Sequence, residues 1–390
     1  MDILILIVTL ILLGLGSFVL YSFFVKKPKP VEKEENKEIK QEKEKNQKPP
    51  KSQKQAKNIQ QKKQRGTEIL PTAEKVINLG NSTPSCLAFD PKLPYFIVPT
   101  QNRQILLYSN SVIEKGGSPT QRYQFKDDKI IDCSICNPDK KPQIVLALDR
   151  SRKVVSFYYD PKSSKLQNGD YNIENAGQLT VDKIAAAPDG SFVSVLSDET
   201  NIRLFHQNGS SLYGKNTSQM HNYEIGVSYN SEFVAVSSYT SEIVVYGVER
   251  DRSENPNKVL KAFTFSGHSN SINTIDFHPK SLLIASGSKD CKYNVWLAPD
   301  RWREGDIARL QWSGNVGEPI SIIRINPVDN TLAIITESGK LLFCRKDEVV
   351  KTVETPHDHK VSLMRWSPDG KWVLVASLTS SFIYAYSNPQ

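Results

Sequence analysis

The sequence predicts an all-β chain folded as a seven-bladed β-propeller, preceded by one N-terminal transmembrane helix and a disordered lysine-rich linker. Three observations carry this expectation. An uncharged apolar run, Ile3 to Val25, opens the chain. A lysine-rich segment with almost nothing to bury follows, from Lys26 to Gly66. Beyond it, a polar turn between short apolar runs recurs with a period of about 41 to 50 residues, the spacing of propeller blades.

The opening run has 23 residues and Lys26, Lys27 and Lys29 directly behind it. At 1.5 Å per helical residue it spans roughly 34 Å, enough to cross a bilayer core of ~30 Å. A cleaved signal peptide is the competing reading, with Gly14-Leu15-Gly16 as cleavage site. The apolar run continues past that site through Phe18, Leu20, Phe23 and Phe24, too long for a signal core. Residues 1–25 are therefore read as an uncleaved signal anchor. The lysines on its C-terminal flank direct residues 26–390 to the cytosol. Five cysteines, an odd number, are no disulfide framework. Three sequons, at Asn81, Asn208 and Asn216, point the other way, because they are usable only in a lumen.

Residues 26–66 hold 15 basic and 6 acidic side chains, so the tether supplies the chain's net charge of +8 and residues 67–390 are neutral. Such a composition cannot offset the entropy of ordering. It reads as a solvated spacer; contact with an anionic leaflet or with RNA phosphates are the functional alternatives. It has no aromatic residue on which bases could stack.

The repeat carries the remaining 324 residues. Its turns are Asp90-Pro91-Lys92, Asn137-Pro138-Asp139, Pro188-Asp189-Gly190, His278-Pro279-Lys280, Asn326-Pro327-Val328 and Pro368-Asp369-Gly370, with a degenerate copy at Tyr229-Asn230-Ser231. Proline presets φ for a turn, and Asp, Asn and Gly complete it. An aromatic follows each turn by 16 to 19 residues: Tyr108, Phe157, Phe205, Tyr246, Trp296, Phe343 and Tyr384. The units are placed at about 81–108, 127–160, 179–209, 221–250, 267–299, 317–347 and 358–387 of the 67–390 domain. The stretch 68–79, with Glu74-Lys-Val-Ile-Asn-Leu79, is read as the strand that completes the last unit and closes the ring.

The fifth unit has the most specific pattern. Gly267-His268, Ser286, Asp290 and Trp296 fall where a WD40 repeat places its hydrogen-bonded tetrad, and the region resembles that family. Trp296 is followed by Leu297 rather than Asp, and the other units match chiefly by spacing. Asp149 and Asp198 suit the same tight-turn position as Asp290. The four tetrad residues are read as structural.

No motif for catalysis or a cofactor is found: GxxxxGK[ST], GxSxG and HExxH are all missing. Acidic residues show no paired spacing. Cys133-Ser-Ile-Cys136 lies in a strand-like run, where alternation sends the two thiols to opposite faces. His357-Asp358-His359 is a loop with metal-binding residue types but no nearby partners. No catalytic, cofactor or metal site is therefore assigned. Partner binding is placed in the segment from Pro299 to Ser313, where Trp302 and Trp312 stand beside Arg301, Arg303 and Arg309, residue types enriched at binding hot spots. The alternative is a helical insertion whose tryptophans pack on the propeller. The stretch Asn110 to Lys126 reads as a mobile loop.

Anchor, basic tether and seven-unit domain together resemble the transducin beta-like 2 family of membrane-anchored WD-repeat proteins. That resemblance implies a non-enzymatic scaffold at the endoplasmic reticulum membrane, its propeller facing the cytosol. It also implies cytosolic protein partners, among them an unfolded-protein-response kinase and translation factors, and RNA. Two other readings remain. One is a regulator of a secretory small GTPase, similar to the membrane-bound WD exchange factor of vesicle budding, which anchors at its other end. The second is a lumenal propeller hydrolase resembling paraoxonase or strictosidine-synthase relatives, which have six blades and a central calcium.

Overall fold

The structure, a computed structural model, describes residues 73–125, 128–136, 141–159, 165–356 and 360–389. The expected membrane helix, the linker, the turn Asn137-Pro138-Asp139 and His357-Asp358-His359 lie outside these residues. Among the described residues no helix is long and apolar enough to cross a membrane.

Among the described residues twenty-eight strands form seven four-stranded antiparallel sheets, the blades of a propeller. In the third blade, for example, the strands are Val181–Ala186, Phe192–Ser197, Asn201–His206 and Ser211–Asn216, hydrogen-bonded in that order. Six blades are continuous in sequence. The seventh takes its outer strand, Lys75–Asn78, from the start of the domain, with Val76 opposite Tyr384 and Ile77 opposite Ile383. That pairing closes the ring by completing the last four-stranded blade with chain from the start of the domain.

Burial changes with distance from the axis. The second strand of each blade lies between neighbouring sheets on both faces. Gln143–Leu148, Phe192–Ser197 and Phe233–Ser238 are buried at every position. A strand buried on both faces loses the apolar–polar alternation of a half-exposed one. The outer strand Ser211–Asn216 is exposed or half-buried throughout. The apolar interior consists of seven clusters, one per blade interface, instead of a single core. The last interface, for instance, joins Leu374 and Ile383 to Phe96 and Leu106 of the first blade. No blade buries its faces alone, so each depends on its neighbours.

The turns justify their residues. Asp90 Oδ1 accepts the N–H groups of Lys92 (2.8 Å) and Leu93 (2.7 Å), and Asn326 Oδ1 accepts that of Val328 (2.8 Å). Gly190 and Gly370 hold positive φ of 74° and 69°. In the degenerate copy Ser231 takes the same conformation at 57°, and its N–H reaches Ser228 O at 2.9 Å, as Gly190 reaches Ala187 O at 2.8 Å. All seven spacing aromatics lie on third strands, opposite the second strand. Tyr108 faces Phe96, Trp296 faces Ile284 and Phe343 faces Ala333.

The outer strands of the first six blades lie beyond the bounds expected from the sequence. Asn110 to Lys126 is not a bare loop: it carries a short helix, Ser111–Lys115, with Val112 and Ile113 buried, and the strand Gln121–Gln124. That strand is the outer one of the first blade, beyond the expected bound at 108. Likewise Arg309–Asn315 is the outer strand of the fifth blade, beyond 299. Outer strands meet solvent on one side and need few apolar residues, so hydrophobic patterning does not mark them.

Candidate functional site

The residues expected to form a tetrad meet in the fifth blade. Asp290 follows the second strand in a tight turn, and His268 precedes the first strand. His268 Nδ1 lies 3.0 Å from Asp290 Oδ2, and its Nε2 lies 2.9 Å from Ser286 Oγ. Trp296 Nε1 donates to the same Oγ at 3.2 Å. Asp290 accepts further N–H groups from Ser269 (2.8 Å) and Lys292 (2.9 Å). A carboxylate only accepts, so Nδ1 carries the proton and Nε2 receives the serine hydroxyl. Burial lowers the His268 pKa from its ordinary value and outweighs the opposing pull of Asp290, which keeps the ring neutral. Burial raises the pKa of Asp290, but the N–H donors of Ser269 and Lys292 and the imidazole lower it below the usual range. A β-carbon on Gly267 would stand 3.0 Å from the Trp296 ring, so glycine there admits the indole. The tetrad ties the second and third strands of one blade, and the turn between them, to the segment before its first strand, which is a structural role.

Asp198 does similar work in the third blade without a histidine. Its carboxylate accepts the N–H groups of Gln178 (3.0 Å), Leu179 (2.5 Å) and Thr180 (3.0 Å). In the second blade Asp128, not Asp149, clamps the turn, through Lys129 N (2.7 Å) and Ser151 N (2.6 Å).

The five residues proposed for partner binding do not form one open patch. Trp302 is only 9% exposed: it packs on Phe233 of the fourth blade, lies where a β-carbon on Gly247 would clash with it, and donates to Glu232 Oε1 at 3.0 Å. Arg303 covers its ring at 4.6 Å and pairs with Glu232 (3.1 Å) and Glu249 (3.5 Å). Arg301 is exposed and pairs with Glu304 and Asp306. Arg309 and Trp312 are on the outer strand, Arg309 exposed and Trp312 half-buried against the fifth–sixth interface. The tryptophans thus serve packing, the alternative weighed from the sequence. Cys133 and Cys136 belong to different blade interfaces and are no ligand pair. Among the described residues no three metal-ligating side chains converge.

Sequence reasoning missed a charged axial channel. The inner strands face the axis with one edge unpaired, and side chains from neighbouring blades satisfy it. Asp132 Oδ2 accepts Ile184 N (3.0 Å), Ser134 Oγ accepts Ala186 N (3.1 Å) and Asp276 Oδ2 accepts Ile325 N (2.9 Å). Glu224 Oε2 accepts both Ile275 N (3.0 Å) and the Thr274 hydroxyl (2.7 Å). Arg324 grips the same carboxylate with both Nη atoms. Acidic side chains thus gather at the axis from the inner strands Ile130–Cys136, Asn222–Val227 and Ile272–Phe277. Burial raises the Asp276 pKa to about 6, with Arg324 and the Ile325 N–H opposing. Beside Arg324 stands Arg365, whose Nη1 donates to Met364 O at 2.9 Å. Between the proline turns the channel widens into a cavity of about 500 Å³, lined by Asp276, Arg324 and Arg365 among apolar side chains. The signal lay in the inner strands themselves: Ile-Asp-Phe277, Ile-Arg-Ile325 and Met-Arg-Trp366 each place a charge one residue before the strand end.

Seven blades and a tetrad of this geometry define a WD-repeat propeller, a class that mediates protein–protein interaction. Residues 260–296 match the family described as WD domain, G-beta repeat. The chain is similar to transducin beta-like protein 2 of Mus musculus, 26% identical over 194 residues, covering 49% of this chain and 44% of that protein. It is likewise similar to transducin beta-like protein 2 of Homo sapiens, 24% identical over 224 residues, covering 54% and 50%. Nuclear distribution protein nudF 1 of Talaromyces marneffei is 30% identical over 132 residues, 31% of this chain and 26% of that protein. The chain spans about half the length of the first two relatives it matches.

Proposed function

We propose that the chain is a non-enzymatic scaffold, held at the endoplasmic reticulum membrane by residues 1–25 and presenting its propeller to cytosolic proteins. The observation that carries this reading is the similarity to transducin beta-like protein 2 in a chain that folds as a closed seven-blade ring. A ring whose loops are clamped by Asp128, Asp198 and Asp290 offers partners a surface that loses little entropy on binding. The family resemblance extends the proposal to the unfolded-protein response and translational control, with an unfolded-protein-response kinase, translation factors and RNA as partners, the RNA on the lysine-rich linker.

Sidedness is the first test. Protease treatment of intact microsomes carrying the full chain with an epitope at Gln390 should destroy the epitope. Asn81, Asn208 and Asn216 are exposed in the fold and would accept glycans in a lumen, so glycan on any of them would refute a cytosolic propeller. Affinity purification of the membrane-extracted chain should then recover specific cytosolic proteins; recovery of none would refute the scaffold.

A further inference from the structure

We propose that the axial cavity is a binding site for an oxyanion, the phosphate or carboxylate group of a small molecule, with Arg365 as its principal donor. The cavity is lined by four cationic side chains, Lys92, Lys280, Arg324 and Arg365, against one carboxylate, Asp276. Arg324 is already committed: Glu224, behind it, takes both of its Nη atoms. Arg365 is not. It spends one N–H on the carbonyl of its own neighbour, Met364, and among the described residues no carboxylate forms an ion pair with it. A guanidinium carries five N–H donors and stays charged in proteins. Burial and the adjacent Arg324 disfavour that charge and outweigh the pull of the nearby Glu224, Asp276 and Asp132, and an anion set directly against Arg365 offsets both.

The rest of the cavity fits the same ligand. Phosphate and carboxylate accept two parallel N–H bonds from a guanidinium, the strongest pairing available to it. Aligned on their turns, the inner strands offer Ala88, Ile135, Ala185 and Gly226 at the level where the fifth to seventh blades offer Asp276, Arg324 and Arg365. Small and apolar residues on one half of the ring leave room for a ligand held by the charged half. Ile225, Phe277 and Trp366 extend that apolar wall, and Lys280, on an exposed turn, stands at the mouth. A volume of about 500 Å³ suits a small molecule and not a folded partner.

Calorimetric titration of the purified full chain at constant ionic strength tests the proposal, with inorganic phosphate and hexanoate as separate probes. Wild type should bind at least one of them saturably and one to one. Saturation by phosphate alone assigns a phosphate ligand, and by hexanoate alone a carboxylate. Arg365→Met should weaken that binding by about tenfold or more, and Lys280→Glu should weaken it without touching the interior. The proposal is overturned if neither probe saturates wild type, or if both variants bind as wild type does. Should Arg365→Met fail to fold, Lys280→Glu decides: unchanged binding overturns the site, and weakened binding supports it.

Discussion

Arg324 of the sixth blade and Glu224 of the fourth form a two-pronged ion pair beside the axis, although 100 residues separate them. The pair reaches past the fifth blade, and Thr274 of that blade bonds to both members. Arg324 is 7% exposed. Breaking one side of such a pair strands a buried charge, which typically costs about 3–5 kcal/mol. Glu224→Gln is expected to fall in that range by urea denaturation. The double variant Glu224→Gln/Arg324→Met should recover part of the loss.

Within the tetrad the Ser286 hydroxyl joins His268 and Trp296. Ser286→Ala leaves the indole N–H and an imidazole nitrogen buried without it, a loss of about 1–3 kcal/mol. The neutral ring also sets a pH dependence. The folded pKa of His268 lies below the unfolded value of 6.5, so the unfolded chain takes up the proton first as pH falls. The stability contribution is complete above that value and is lost as pH falls below it. His268→Gln should lessen this slope in unfolding midpoints measured between pH 7 and pH 5, a window set from about the unfolded pKa downward.

Asp276 runs in the opposite sense. Its folded pKa is raised from 3.8 to about 6, so between these values the folded state keeps a proton that the unfolded chain has released. Stability therefore declines as pH rises through that window and is level above it. Asp276→Asn should be more stable than wild type near neutral pH, and the advantage should vanish below pH of about 4. A pH-independent difference between the two would refute the assignment.

Closure by the N-terminal strand makes a prediction about two neighbours. Ile77 is 2% exposed and Val76 is 47% exposed on the same strand. Ile77→Ala should cost about 2–5 kcal/mol, whereas Val76→Ala should change stability by about 0.5 kcal/mol or less. Thermal unfolding of the two variants separates a closing strand from a loosely attached one.

The same contrast applies across Arg301 and Trp302. Trp302→Ala removes an indole packed between Phe233 and Gly247 and should cost about 3–5 kcal/mol. Arg301→Ala, at an exposed site with solvent-screened partners, should stay within about 0.5 kcal/mol of wild type.

How much was readable follows from which interactions are local. The seven-fold turn and aromatic spacing announces the blades because each turn is built within a few residues, as Asp90 with Lys92 and Leu93 shows. The tetrad was readable because a single repeat contains all four members. Outer strands such as Gln121–Gln124 were misplaced, since half-exposed residues carry no hydrophobic signal. Arg365 and Asp276 are the single charges of the inner strands Leu363–Trp366 and Ile272–Phe277. Nothing local shows that they share a cavity.

The amino-acid sequence by itself determined an all-β repeat with seven turn-bounded units and one complete tetrad, because turn chemistry, alternation and spacing act within a blade. Only the tertiary structure decided that Trp302 is buried, that Glu224 answers Arg324, and that Arg365 faces a cavity without a carboxylate partner among the described residues. Those facts depend on the ring closing, which brings side chains some 50 to 100 residues apart to one axis. Their energies come from burial and charge at that axis, where no single repeat carries the information.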